Sequence, residues 1–423
     1  MEPISVLVLC PQTIDRRNCK AIPDAEKYEF HFLDATLEAS GLSPDFDGIK
    51  YLEQCRQYIQ QHNIQVVLGT RDLPSLLQAQ LSREFPHLRG PSLESSFLCL
   101  QKYYTHENID FPSSQYALCR LNESKTVSQY LEEIEIPFPW IVKPCTAACS
   151  SAILKVNNPE EFAKAIAFYR EYVVDSLQYL PKLLHAHIDS DRYPLIPSDT
   201  ILVEEYIDYP YKCCVDGCVS HGEILIWSIA DNHYYLTYPE CFADYTFPSA
   251  LPQPIQDNLC REYRTIVQQL IECGFDNQFI DVEFFVSDRG TIKLMEINGR
   301  MAPTSAFLYR QCLDRGDPYT ALIAIGMGDK VKTPTQKPLV GGIFYLTSFA
   351  RGMAKDLFDF ELAHQFANLE VQVKPEQEIT EVGASGFTLA TMNLVGRSYV
   401  EIKEKADRIR RKLLKKPEFS PWN

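Results

Sequence analysis

The run Ile4–Cys10 (ISVLVLC) is apolar without interruption, the pattern of a strand covered on both faces, as in a parallel sheet. Parallel neighbours cannot be joined by a hairpin and need crossovers, usually helical. This one feature therefore commits the N-terminal region to a layered α/β arrangement. The following residues supply the rest: Glu29–Leu33 as a second strand, Tyr51–His62 as a helix, Ile64–Leu68 (IQVVL) as another buried strand, and Leu73–Phe85 as a helix. Ligands of open α/β sheets sit beyond the carboxyl ends of the strands, here near Gly69-Thr70-Arg71-Asp72.

From Ser92 the pattern changes. A helix around Leu98–Glu107 contains Lys102, and Pro137-Phe138-Pro139-Trp140 leads into a strand at Ile141–Lys143. A helix at Pro159–Val173, a strand at Thr200–Ile207 and a long helix at Gln256–Glu272 follow, the last set among short strands. After about Thr333 a third region opens with Gly341-Gly342-Ile343-Phe344-Tyr345 and closes with a helix from Tyr399 to about Lys415. In that helix Ile402, Ala406, Ile409 and Leu413 fall on one stripe. Its basic end (Arg410, Arg411, Lys412, Lys415, Lys416) is expected to face water, as cations at a helix C-terminus do. The expected units are an N-terminal α/β domain at 1–95, a central domain at 96–332 with a lid at about 140–207, and a C-terminal β-rich segment with a closing helix at 333–423.

Composition narrows the function classes. At 423 residues the chain is long enough for two or three domains, and 45% hydrophobic with 23% charged residues is an ordinary globular balance. With 41 Lys+Arg against 56 Asp+Glu the net charge is −15, a field that repels nucleic acid and anionic membranes. No stretch of 18 apolar residues spans a bilayer, and Met1-Glu2-Pro3-Ile4 lacks the basic start of a signal peptide. A soluble, cytoplasmic protein that binds neither nucleic acid nor membrane is expected. The 14 cysteines are irregularly spaced and read as small buried residues and free thiols. Cys213, Cys214 and Cys218 have no companion pair at zinc spacing.

The most informative stretch is Phe279–Arg300, FIDVEFFVSDRGTIKLMEINGR. Two strand-like runs flank Ser287-Asp288-Arg289-Gly290, which predicts a hairpin. Alternation puts Asp281 and Glu283 on one face and Val282, Phe284 and Val286 on the other, while Glu296 and Asn298 share a face of the second strand. If the four turn residues form the loop, Asp281 lies opposite Glu296 and Glu283 lies diagonal to it. Like charges facing across a ladder are destabilising unless a cation sits between them. A hard divalent ion such as Mg²⁺ suits two carboxylates and an amide carbonyl, with room left for phosphate oxygens. Solvated acids on an open sheet face are the alternative, and either Asp281 or Glu283 could be the first ligand.

Two further stretches stand out. Lys143 ends the apolar strand WIVKP, as a snorkelling terminus or a phosphate contact. In Ile201-Leu202-Val203-Glu204-Glu205-Tyr206-Ile207 an apolar strand ends in two acids that could accept from an adenine amino group, or simply meet solvent.

Taken in order, Lys102, IVKP with Lys143, LVEEYI with Glu204, DVEFF with Glu283, and MEINGR with Glu296, Asn298 and Arg300 resemble the ATP-grasp superfamily across nearly the whole chain. The resemblance implies that fold: an open parallel α/β domain, central ATP-grasp subdomains with antiparallel sheets, and a closing β-rich segment with its helix. It implies ATP and Mg²⁺ (or Mn²⁺) as cofactors. Lys102 and Lys143 would contact phosphates, Glu204 the adenine amino group, and Glu205 and Ile207 would offer backbone hydrogen bonds. Ser150 would belong to the flap over the phosphates and Lys212 to ribose or phosphate. Glu283, Glu296 and Asn298 would hold the metal, and Arg300 would orient a carboxylate or acyl phosphate. The C-terminal stretch GFTLATMNLVGRSYVEIKEKADRIRRKL looks like that of the biotin-carboxylase-like branch, where peptide-forming L-amino-acid ligases and purine-pathway ligases are similar.

The chain departs from the family at the flap. Cys145–Ala152 (CTAACSSA) has no glycine, and the bicarbonate-binding stretch of biotin carboxylases is not visible in Asp231–Pro248. The resemblance implies an ADP-forming carboxylate–amine ligase, with a small acid and an amine (an amino acid) as partners and a homodimer as the default assembly. A bicarbonate-using carboxylase and a non-catalytic nucleotide-binding protein are the other two readings. Arg71, His233, Tyr245 and Arg310 are candidate contacts for the acid and the amine.

Overall fold

The computed structural model describes residues 2–35, 37–38, 41–42, 46–121, 124–146, 152–172, 187–197, 199–235, 241–379 and 386–415. Ile4–Leu9 is the centre of a three-stranded parallel sheet, between Tyr28–Leu33 and Val66–Leu68. Val6, Leu7, Val8 and Leu9 are fully buried, as the uninterrupted apolar run requires. The helices Gly48–Gln61 and Asp72–Glu84 cover the sheet, and Asp47 caps the first of them by accepting from the amides of Ile49 and Lys50.

Two antiparallel sheets follow. A four-stranded one runs Tyr116–Arg120, Thr200–Glu205, Trp140–Pro144, Leu154–Val156 in spatial order. An eight-stranded one runs Ile292–Asn298, Gln278–Val286, Tyr211–Ser220, Glu223–Tyr234, Phe242–Phe247, Val340–Ser348, Phe387–Gly396, Leu369–Val371. This second sheet is continuous across position 333, so the C-terminal segment extends the sheet that carries the acidic hairpin. On its back face lies the helix Gln253–Glu272, which buries Leu259, Tyr263, Ile266, Val267 and Leu270 in a core shared with Val282 and Phe284. The closing helix Tyr399–Leu413 buries Ile402, Ala406, Ile409 and Leu413 against Phe344, Met392 and Leu394, each large side chain contributing about 2 kcal/mol.

Three expectations are corrected. The helix expected around Leu98–Glu107 is two helices, Leu93–Leu100 and Lys102–Asn108, because Gln101 is extended and its side chain caps the second. The break re-aims Lys102, whose amide donates to the carbonyl of Cys145 at the end of the strand Trp140–Pro144. The basic end of the closing helix does not uniformly face water: Arg411 and Lys412 do, but Arg410 is buried and donates to the carbonyls of Tyr345 and Ala243. Lys416 lies outside the described residues.

The third correction concerns register. Glu283 lies opposite Glu296, and Asp281 opposite Asn298. The turn takes in Thr291, which pairs with Ser287 through two hydrogen bonds while Gly290 adopts a left-handed conformation. A bulge then lets Met295 and Glu296 together oppose Glu283. Turn and bulge each shift the pairing by one. Without the bulge Glu296 would share the inward face of Leu294. With it, Leu294 and Ile297 both reach the core while Glu296 and Asn298 stay on the face of Asp281 and Glu283.

Candidate active site

The acidic face is denser than the hairpin alone. Asp216 is the register partner of Asp281 on the other side, and its Oδ2 accepts from Tyr309 (2.5 Å), Tyr245 (3.0 Å) and Ser228 (3.4 Å). Sequence reasoning missed Asp216, because nothing local shows that Tyr211–Ser220 pairs with Gln278–Val286. The resulting crowding raises proton affinity. Burial first and the Glu296 charge second push Glu283 up to about 7. Burial, then Asp216 and Glu283, push Asp281 well above the carboxylate range, and burial raises Asp216 against its hydroxyl donors. One oxygen of Asp281, Oδ1, is buried with no hydrogen-bond partner.

Cations frame this face. Lys102 donates to Glu296 Oε1; its burial opposes the charge, but Glu296 outweighs that and raises the lysine's proton affinity. Arg300 donates from Nε to Asp72 Oδ1 (3.0 Å) and from Nη2 to Asn298 Oδ1 (3.0 Å). Asn298 in turn donates to Asp281 Oδ2 (3.1 Å) and Glu283 Oε1 (3.3 Å). The Asp72–Arg300 pair joins the carboxyl end of the parallel sheet to the hairpin. At Gly299, next to Arg300, a Cβ would meet the Cys99 side chain at 3.0 Å and Phe275 at 3.2 Å, a tight fit, while its carbonyl accepts from Ser75 Oγ (2.7 Å).

The second cluster belongs to the four-stranded sheet. Lys143 and Glu204 pair at 2.7 Å, both almost fully buried. His106 Nε2 lies 2.8 Å from Glu204 Oε1, and its Nδ1 lies 3.0 Å from Ser113 Oγ. Burial would raise the Glu204 carboxyl, but the Lys143 charge and the His106 hydrogen bond hold it at about 2. Lys102, His106, Lys143, Glu204, Met295 and Glu296 line one pocket between the two sheets.

The other expected residues are placed as follows. Lys212 stacks its ammonium 3.8 Å from the centroid of Tyr234. Glu205 pairs with Lys293 at 3.4 Å, and Ile207 is buried just beyond the strand. Ser150 and most of the glycine-free flap lie outside the described residues. Arg71 is held by Asp15 (2.7 Å), Arg310 by Asp317 and Asn18, and Tyr245 by Asp216. His233 pairs with Asp244 at 2.7 Å; by register it lies on the face of the sheet opposite Glu283.

The fold has known counterparts. Residues 136–306 match the family model of the ATP-grasp domain. Over that stretch the chain is similar to ATP-grasp domains. Solved structures share its architecture over nearly the full length. An L-amino acid ligase from Bacillus licheniformis aligns over 98% of both chains, with TM-score 0.71 and 13% identity. A carboxyaminoimidazole ribonucleotide synthase from Aspergillus clavatus, complexed with ATP, aligns over 97% of this chain and 99% of its own, with TM-score 0.67 and 12% identity. A phosphoribosylglycinamide synthetase from Anaerococcus prevotii aligns over 97% and 99%, with TM-score 0.62 and 15% identity. No curated protein sequence matches. No helix among the described residues is long and apolar enough to cross a membrane.

The acidic face fits a hard cation. Asp72, Asp216, Asp281, Glu283 and Glu296 are five carboxyls set against Lys102 and Arg300, and the hairpin's donors to a cation are all oxygen, as Mg²⁺ requires. The one amide oxygen of Asn298 accepts from Arg300, whereas Glu283 and Glu296, each with one oxygen taken by a protein donor, have a second carboxylate oxygen to offer.

Proposed function

We propose that the chain is an ATP-dependent, ADP-forming carboxylate–amine ligase. The observation that carries this reading is the single pocket where Lys102 and Lys143 from separate elements meet the hairpin carboxylate Glu296 and the buried Glu204. In this reading Lys102 and Lys143 exchange their carboxylate partners for phosphate oxygens. Glu204 accepts from the adenine amino group, with Glu205 and Ile207 offering backbone contacts, and Lys212 sits toward the ribose. Glu283 and Glu296, with Asn298 beside them, would hold Mg²⁺, which supplies charge neutralisation for the transferring phosphoryl group when bound.

An oxygen of the substrate carboxylate attacks the γ-phosphorus and ADP leaves. The amine nitrogen then attacks the acyl carbon, inorganic phosphate leaves, and the amine gives up a proton as the amide forms. The chain's own part is positioning and electrostatics. Arg300, with its planar fork, is suited to the carboxylate and is itself oriented by Asp72.

The test is Mg²⁺-dependent release of ADP and phosphate from ATP over pooled amino acids and small carboxylic acids. The ligase reading expects release only when an acid and an amine are both present. Release that requires bicarbonate instead would replace it with a carboxylase.

A further inference from the structure

The helix Lys102–Asn108 places Lys102 and His106 at i and i+4, on one face. Each meets a carboxylate of a different sheet: Lys102 meets Glu296 of the eight-stranded sheet, and His106 meets Glu204 of the four-stranded sheet. One short helix therefore bridges the two walls of the pocket. We propose that His106 is a positioning residue that fixes Glu204 in place for nucleotide-base recognition, an inference that rests on the ATP-binding reading above.

Hydrogen-bond direction sets the proton on the Glu204 side of His106. An ionised carboxylate can only accept, so Nε2 of His106 carries the proton toward Glu204. Its Nδ1 faces the Ser113 hydroxyl at 3.0 Å, a group that can donate or accept there. The ring plane is set independently. His106 stacks on Tyr116, with centroids 4.4 Å apart and 17° between planes, and Tyr116 is the cross-strand register partner of Glu204. The orientation of His106 is thus set by Tyr116 and Ser113 rather than by Lys143.

That independence gives His106 its role. Lys143 occupies Glu204 Oε2, on a flexible four-carbon stem, and phosphate binding draws it away. His106 remains on Oε1 and keeps the carboxylate oriented while Lys143 changes partner. A fixed carboxylate accepts from the 6-amino group of adenine and repels the 6-oxo group of guanine. Lost orientation would therefore reduce affinity for ATP and, with it, discrimination against GTP.

The experiment compares His106→Gln with His106→Met in the full chain. Gln and Met are similar in shape, but only Gln keeps a donor near the Nε2 position, so differences in folding largely cancel. Dissociation constants for MgATP and MgGTP are measured by calorimetry. The Met variant should lose about tenfold in ATP affinity, the scale of a hydrogen bond to a charged group, and its ATP/GTP preference should fall with it. The Gln variant should stay within about threefold of the unaltered chain. Equal ATP/GTP preference in the Gln and Met variants overturns the inference while leaving ATP binding standing. Failure of the unaltered chain to bind MgATP would contradict the nucleotide reading itself, and this inference with it.

Discussion

Glu283 and Glu296 are register partners across the hairpin, two carboxylates of like charge on the same face of the sheet. They lie among further acids, Asp281 and Asp216, with Lys102 and Arg300 as the nearby cations. In isolation such a pair destabilises the ladder, and the hairpin tolerates it by holding protons or by holding a cation.

The proton alternative gives a pH dependence. The folded-state value of Glu283 is raised from 4.5 to about 7, by burial and then by Glu296. The folded chain therefore retains a proton that the unfolded chain has released between these values, and stability falls as pH rises through this window. In metal-free buffer, Glu283→Gln should flatten that fall and melt a few degrees higher than the unaltered chain at pH 8. Mg²⁺ should raise the melting temperature of the unaltered chain at pH 8 more than that of the variant. Thermal melts at pH 5, 6, 7 and 8, with and without Mg²⁺, check both.

The bulge makes a second prediction. It sets Met295 beside Glu296 as an apolar wall of the pocket. Met295→Ala should weaken MgATP binding about tenfold, the scale of a few lost apolar contacts, while leaving Mg²⁺-dependent stabilisation at pH 8 unchanged. Calorimetry and melting curves separate the two effects.

Some of this was legible in the sequence and some was not. The apolar run Ile4–Cys10, the stripe on the closing helix and the ordered set from Lys102 to Arg300 are local patterns, and alternation alone puts Glu283 with Asp281. The hairpin register was not legible, because whether Thr291 joins the turn and whether Met295 bulges depend on packing Leu294 and Ile297 into the same core. Asp72–Arg300 and His106–Glu204 join residues 228 and 98 positions apart, and Asp216 meets the acidic face only through sheet order. Such partners are set by topology, which a single sequence states weakly.

On the opposite face, His233 offers a separate titration. Burial would lower its proton affinity, but the hydrogen bond and charge of Asp244 outweigh that and raise it above the ordinary histidine value. Its stabilising contribution is therefore present in full below about pH 6.5 and is lost as pH rises through the higher folded-state value. His233→Gln should remove that part of the pH dependence of the melting temperature without changing MgATP affinity. An unchanged melting profile would contradict the pairing's contribution.

Gly299 offers a packing test. Gly299→Ala forces a methyl against Cys99 and Phe275 and should cost about 1–3 kcal/mol of stability. Adding Cys99→Gly, which removes the nearest side chain, should recover part of the loss in denaturant melts.

The most direct test of the central claim is ADP and phosphate release from MgATP over paired pools of acids and amines, for the unaltered chain and for Glu296→Ala. The account predicts release that needs both an acid and an amine and that falls by orders of magnitude in the folded Glu296→Ala protein. Full activity in that variant, or no release from any pool by a chain that binds MgATP, would contradict it.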